Sequence, residues 1–190
     1  MADNFSRRKL SDIADILTGV NYNPDDVLKS YKNGCIRVFR GGNVQTNQIV
    51  CKSDDVLLPS SYADNNTFLQ VGDTVITAST GSVDALGKTA YVISEMSGCY
   101  VGAFMRIIRP KNPIFQPLVN MYLQSKYFET YIRAQAKGTS INNITKSYLE
   151  NFPVYLPNDN NLVGISSLYQ NLCKKIALNR EINRNLPLSA

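Results

Sequence analysis

The stretch Gly138-Thr-Ser-Ile-Asn-Asn-Ile-Thr-Lys-Ser-Tyr-Leu-Glu-Asn-Phe-Pro-Val-Tyr-Leu-Pro157 runs directly into a helix-patterned tail. In that tail Leu162, Ile165, Tyr169, Leu172, Ile176, Asn179, Asn183 and Leu186 recur at alternating spacings of three and four, up to a stop at Pro187. This is the a/d seam of a coiled-coil-type helix, and a seam calls for a partner. Asn at d (179) and at a (183) fixes the register of such a pair at some cost in stability. The last third of the chain therefore predicts a short helix over 145–151, a closing strand over 152–156, a junction at 158–161 that caps the next helix, and one long helix with an exposed seam. Lys174, Lys175, Arg180 and Arg184 fall in its later turns, where the helix dipole favours cations.

Working outward from there, residues 117–137 read as the strongest helix of the body. Pro117 suits its first position and Gly138 its C′. Leu118, Met121, Phe128 and Ile132 form an inward stripe, widened by Tyr122 and Tyr131. Residues 10–17 read as a short amphipathic helix with Leu10, Ile13, Ile16 and Leu17 on one face, ended by Thr18-Gly19. After a polar loop over 21–34, β-like runs dominate: 35–39, 48–51, 56–58, 74–78, 88–93 and 100–109, separated by Gly, Asn, Asp and Ser clusters. Arg7-Arg8-Lys9 reads as a solvated basic start. The fold class is α/β (α+β), a curved mixed sheet with flanking helices in residues 1–157, followed by the helix in 158–190.

With 190 residues and 44% hydrophobic content, the chain is long enough for one domain and an extension. The formal charge of +5 permits a polyanionic partner without requiring one. There is no His, which removes the commonest general base and most zinc sites. Cys35, Cys51, Cys99 and Cys173 form no CxxC and read as reduced, mostly buried thiols of a cytoplasmic protein. No apolar run is long enough for a membrane span. No phosphate loop is present: Gly41-Gly42-Asn43 and Gly81-Ser82-Val83 lack a GxxxxGK[ST] or GxGxxG frame. No metal set and no catalytic constellation emerge. A serine activated by Lys88, at Ser79 or Ser82, is an enzyme reading that predicts turnover by the isolated chain.

Three blocks together resemble the specificity subunit of type I restriction-modification systems. They are Lys9-Leu-Ser-Asp-Ile-Ala-Asp-Ile-Leu-Thr-Gly19; Gly72-Asp-Thr-Val-Ile-Thr-Ala-Ser-Thr-Gly-Ser82 with Leu86-Gly-Lys-Thr-Ala-Tyr-Val92; and Gly138-Thr-Ser through Pro153-Val-Tyr-Leu-Pro157. Departures are the absence of any Trp, an insertion at Val83-Asp84-Ala85, and one recognition domain and one helix where most members carry two of each. The chain is similar to a half-length subunit. The resemblance implies a target recognition domain over 1–157 and a dimerisation and spacer helix over 158–190. It implies binding of double-stranded DNA, a methyltransferase subunit, a restriction subunit held through the methyltransferase core, and a homodimer or second half-subunit, with no membrane role. S-adenosylmethionine and ATP are then expected on the partner subunits, with no cofactor and no catalysis on this chain. The alternative is a protein-interaction adaptor assembled through its C-terminal helix.

Three loops carry the candidate DNA contacts, because Arg forks onto guanine and Asn or Gln onto adenine, while Lys and hydroxyls suit phosphate. They are Arg37, Arg40, Asn43 and Gln45 around Gly41-Gly42; Ser79, Thr80, Ser82 and Lys88 around Gly81; and Lys137, Thr139, Ser140, Asn142, Asn143 and Lys146 after the body's strongest helix. Arg40 and Asn43 are expected to read bases, Lys88 and Lys146 to hold phosphate. Ordinary turns and helix caps account for the same residues without DNA. The eight seam residues are expected to dimerise.

Overall fold

A computed structural model describes residues 5–45, 47–81, 85–92, 96–136 and 143–186. Eleven strands and five α-helices are assigned among them. Strand β1 (Phe5–Lys9) pairs antiparallel with β11 (Pro153–Pro157), Arg7 opposite Tyr155. The basic start is thus a paired strand whose side chains are exposed, not a loose tail.

Helix α1 is a single turn, Leu10–Ile13, and Ala14–Thr18 leaves it as strand β2. A helix over 10–17 was the expectation. It fails because burial from Ala14 onward alternates, with Ala14 and Ile16 inside and Asp15 outside, and β10 (Met105–Pro110) is there to pair it. The turn is closed by Asp12, whose carboxylate accepts from the Lys9 N–H at 2.8 Å.

The central sheet is antiparallel, in the order β2-β10-β7-β8, where β7 is Thr74–Thr77 and β8 is Thr89–Tyr91. Both its faces are buried. Ile76 and Ile108 enter one core with Phe128, Phe152 and Val154, while Val75 and Ile107 enter another with Phe39, Leu69 and Met105. Next to the second core stand β3 (Ile36–Phe39), β6 (Val56–Leu58) and β9 (Tyr100–Val101), in the order β6-β3-β9 with β3 and β9 parallel. A β4–β5 ribbon (Val44–Gln45, Gln48–Ile49) completes this side. The expected single curved sheet is divided into four, and the run over 100–109 is broken by the Gly102-Ala103-Phe104 turn between β9 and β10.

Helices cover the other face. The expected helix over 117–137 is two: α2 (Gln116–Leu123) and α3 (Lys126–Ala136). Ser125 breaks it by donating to the Tyr122 carbonyl at 2.6 Å and accepting from the Phe128 N–H at 3.2 Å, which caps α3. Leu118, Phe128 and Ile132 are buried as expected, whereas Met121 is 47% exposed. Phe152, just ahead of β11, is fully buried and meets Phe128 and Tyr131 edge-on at 5.0 Å. Helix α4 (Lys146–Glu150) is capped by Thr145. Of the thiols, Cys51 is exposed and the other three are half-buried, less hidden than expected.

The last helix, α5, runs Asp159–Asn185, about 40 Å at about 1.5 Å per residue. Asn158 caps it, its amide oxygen accepting from the Asn161 N–H at 3.1 Å. Its start belongs to the body. Leu162 is 5% exposed, Ser166 donates to the Ile114 carbonyl at 2.7 Å, and the Asn120 amide donates to the Tyr169 hydroxyl. Burial raises the Tyr169 pKa.

Candidate functional site

One concavity of about 830 Å³ opens beside the end of β7. Arg40, Gln45, Ser79, Thr80 and Lys88 line it, brought from three separate segments. The β7–β8 hairpin supplies two of its walls. Across it the Thr77 N–H donates to the Lys88 carbonyl and the Gly87 N–H to the Thr77 carbonyl, both at 2.9 Å. Gly87 takes φ +77°, a turn conformation that favours glycine. Lys88 is exposed at the hairpin rim, and among the described residues no carboxylate pairs with it. Gln45 and Lys88 also border a second hollow of about 720 Å³ that reaches Gln124 and Arg133, so they form a ridge between the two.

Asn143 is joined to this rim. It bridges antiparallel to Ser79, and Ile144 N–H donates to the Ala78 carbonyl at 2.6 Å. The third candidate loop therefore rejoins the fold beside the second. Ser82, Lys137, Thr139, Ser140 and Asn142 lie outside the described residues. Lys146 stands on α4, apart from the concavity, 3.8 Å from Glu150 one turn on.

Two of the first group are claimed by the fold. Asn43 is a correction: it is 3% exposed and both ends of its amide are engaged. The oxygen accepts from the Arg40 N–H at 2.8 Å, and the nitrogen donates to the Val50 carbonyl at 3.0 Å and to the Asp55 carboxylate. With both N–H donors engaged and the group buried, it cannot present the paired donor and acceptor that a base edge needs. Arg37 donates at 3.2 Å to the same Asp55, whose side chain is 3% exposed, and does not line the concavity. Arg40 differs: its exposed guanidinium rests on Asp54, itself 71% exposed, and an exposed pair of this kind exchanges partners at little cost.

The structure adds wall residues outside the three candidate loops: Asn21, Tyr22 and Pro24 from the polar loop, and Phe104 from the β9–β10 turn. Phe104 sits in a run read as one strand. The consecutive small residues Gly102-Ala103 are the signal that the run breaks there.

The motif residues themselves mostly build the frame. The carboxylate of Asp73, 2% exposed, receives Arg109 through Nε at 2.9 Å and Nη2 at 2.8 Å, and the same guanidinium donates to the Asn66 and Phe68 carbonyls. Gly72 before it has φ +102°. Gly19 passes so close to the β9–β10 turn that a Cβ there would lie 2.3 Å from the Gly102 oxygen. Such a set is spread over the sequence but joined in one frame.

The type I restriction modification DNA specificity domain matches residues 2–188. The chain belongs to that family. Among curated relatives, it is 24% identical over 148 residues to the type I restriction enzyme EcoKI specificity subunit of Escherichia coli (strain K12), covering 78% of this chain and 32% of that one. To the StySPI specificity subunit of Salmonella potsdam it is 22% identical over 157 residues, covering 83% and 34%. The chain thus spans about a third of the length of these relatives. Its fold is that of the HsdS subunit from Thermoanaerobacter tengcongensis (TM-score 0.61, 17% identity, 96% of this chain and 40% of that one). It is equally that of the type I restriction-modification S subunit from M. genitalium (TM-score 0.59, 15% identity, 94% and 41%). A chain from a structural study of type I complex assembly and conformational transition gives TM-score 0.64 at 16% identity, over 96% of this chain and 41% of that one.

In this specificity-domain chain the seam expected to dimerise is divided. Leu162 and Tyr169 pack on their own body and Ile165 is half-buried, which corrects the expectation that every seam residue faces a partner. Leu172, Ile176 and Leu186 are exposed by 49%, 50% and 58%, and Asn179 and Asn183 are exposed with them. Leu178 and Ile182, off the seam by spacing, are exposed too and widen the stripe. Beside the helix start, Phe5, Met121, Tyr127 and Tyr155 continue this apolar surface onto the body as a groove.

Proposed function

We propose that this chain reads double-stranded DNA sequence for a type I restriction-modification complex, with the Arg40–Gln45–Lys88 concavity as its reading surface. The observation that carries the reading is that forked and cationic side chains from segments far apart in sequence meet in one hollow of a specificity-domain fold. Arg40 and Gln45 offer base-edge donors, while Lys88, Ser79 and Thr80 suit phosphate. Asn143 and Lys146 extend the phosphate contacts. Methylation with S-adenosylmethionine and ATP-driven cleavage belong to partner subunits, and this chain contributes recognition without catalysis. The exposed outer part of α5, from Leu172 on, joins a second copy or second half-subunit and separates two half-sites.

Selection from randomised duplexes tests this. The full chain should enrich a defined sequence, and Lys88→Ala should weaken cognate and scrambled duplexes alike. Binding indifferent to both sequence and salt would end the proposal in favour of a protein adaptor.

A further inference from the structure

Phe104 combines an exposed ring with a main chain fastened by hydrogen bonds. The ring is 72% exposed. Its own carbonyl accepts from the Ala78 N–H at 3.0 Å and the Ser79 N–H at 2.9 Å. On either side the turn is fastened as well. Gly102 donates to the Phe39 carbonyl at 2.9 Å and accepts from the Met105 N–H at 2.9 Å, and Arg106 Nη1 grips the Ala103 carbonyl at 2.8 Å. None of these bonds needs a phenyl group at 104. Packing does not need it either, because the neighbouring cores hold Met105 and Ile107 but not Phe104.

The ring stands in the wall of the hollow that Arg40, Gln45 and Lys88 line. An aromatic on a fastened main chain has only two side-chain torsions to order on contact, and it withdraws a large apolar area from water. We propose that Phe104 is a specificity-determining residue that contacts the 5-methyl group of a thymine in the major groove. This rests on the DNA reading above and adds the base it selects. The forked donors beside it match the purine edges of the major groove, and the thymine methyl is the apolar feature that groove presents. A wedge between base steps would work from the minor groove, whose pattern those donors read poorly.

The test uses the full chain and two randomised duplex pools, one containing thymine and one containing uracil in its place. From the thymine pool the wild type should enrich a motif with an obligatory thymine. Placing uracil at that position should weaken binding about fourfold, the effect of leaving one methyl-sized group unburied. Phe104→Ala should bind both forms alike, Phe104→Leu should keep part of the preference, and the salt dependence should stay unchanged in both. Thermal unfolding of Phe104→Ala should match the wild type, since the ring is exposed. If Phe104→Ala enriches the same motif with the same thymine-to-uracil ratio, the assignment of Phe104 falls and the DNA reading stands. If Phe104→Ala loses affinity but uracil costs the wild type nothing, the methyl contact is wrong. If the wild type enriches no sequence from either pool, the DNA reading falls and this inference with it.

Discussion

Replacing Asn43 with Ala withdraws an amide that is 3% exposed and holds three partners. Two of them, the Arg40 N–H and the Val50 carbonyl, are neutral, at about 1 kcal/mol each. The third is the Asp55 carboxylate, for which a hydrogen bond contributes about 2 kcal/mol. Asp55 keeps Arg37 and the Lys52 N–H, so the charge is not left bare. The expected loss is therefore about 3–4 kcal/mol, which in a domain of this size lowers the melting temperature by roughly 10 °C. Calorimetry or dye-monitored unfolding reads that directly. Duplex affinity, measured at a temperature where both proteins are folded, should be unchanged within twofold for cognate and scrambled sequences. A variant that melts with the wild type but no longer discriminates between duplexes would refute the structural role and restore Asn43 as a base reader.

Other perturbations separate frame from rim. Gly19→Ala places a Cβ 2.3 Å from the Gly102 oxygen and should destabilise by about 2–4 kcal/mol, read by urea unfolding. Lys88→Ala should lower the salt slope of DNA binding by roughly one unit without altering the preferred sequence, read by titration across salt. Ile176→Glu with Ile182→Glu should leave the melting temperature of the body unchanged and yield a monomer by light scattering, if the outer helix joins two copies. Burial, reinforced by Tyr148, pushes the Tyr131 phenol up to about 12. The unfolded phenol ionises near 10, so between about 10 and 12 the folded state holds the extra proton and stability falls as pH rises. Tyr131→Phe should remove that part of the alkaline decline in denaturant midpoint between about pH 10 and 12.

What was legible in the sequence was local. The strand at Val56–Leu58, the Asn158 cap and the short helix at Lys146–Glu150 follow from patterns a few residues wide. The division of the sheet was not, because it depends on partners far apart: β3 lies parallel to β9, and β1 finds β11 at the other end of the body. Arg7-Arg8-Lys9 has no apolar alternation to announce a strand, since all five β1 residues are exposed and the partner strand lies at Pro153–Pro157. The break at Ser125 needed its hydroxyl to turn inward on the backbone, a choice that a stripe of apolar residues hides. At the site, residue type nominated three loops as candidates but could not separate Arg40 from Asn43. They stand three apart in one turn, and only burial shows that one faces the hollow while the other ties the turn to Asp55.

Main-chain fastening, seen at the Arg109 clamp and again beside the hollow, has a consequence for which side chains are replaceable. Beyond Asp73, the grip of Arg109 on the 66–68 segment is on carbonyl oxygens, which every amino acid supplies. The β9–β10 turn is held in the same way, through amides and carbonyls at Gly102, Ala103 and Phe104. The Phe104 side chain, at the wall of the hollow, can therefore be exchanged while the supports beneath it persist. A substitution at this one position is thereby decoupled from folding stability and needs no compensating change elsewhere.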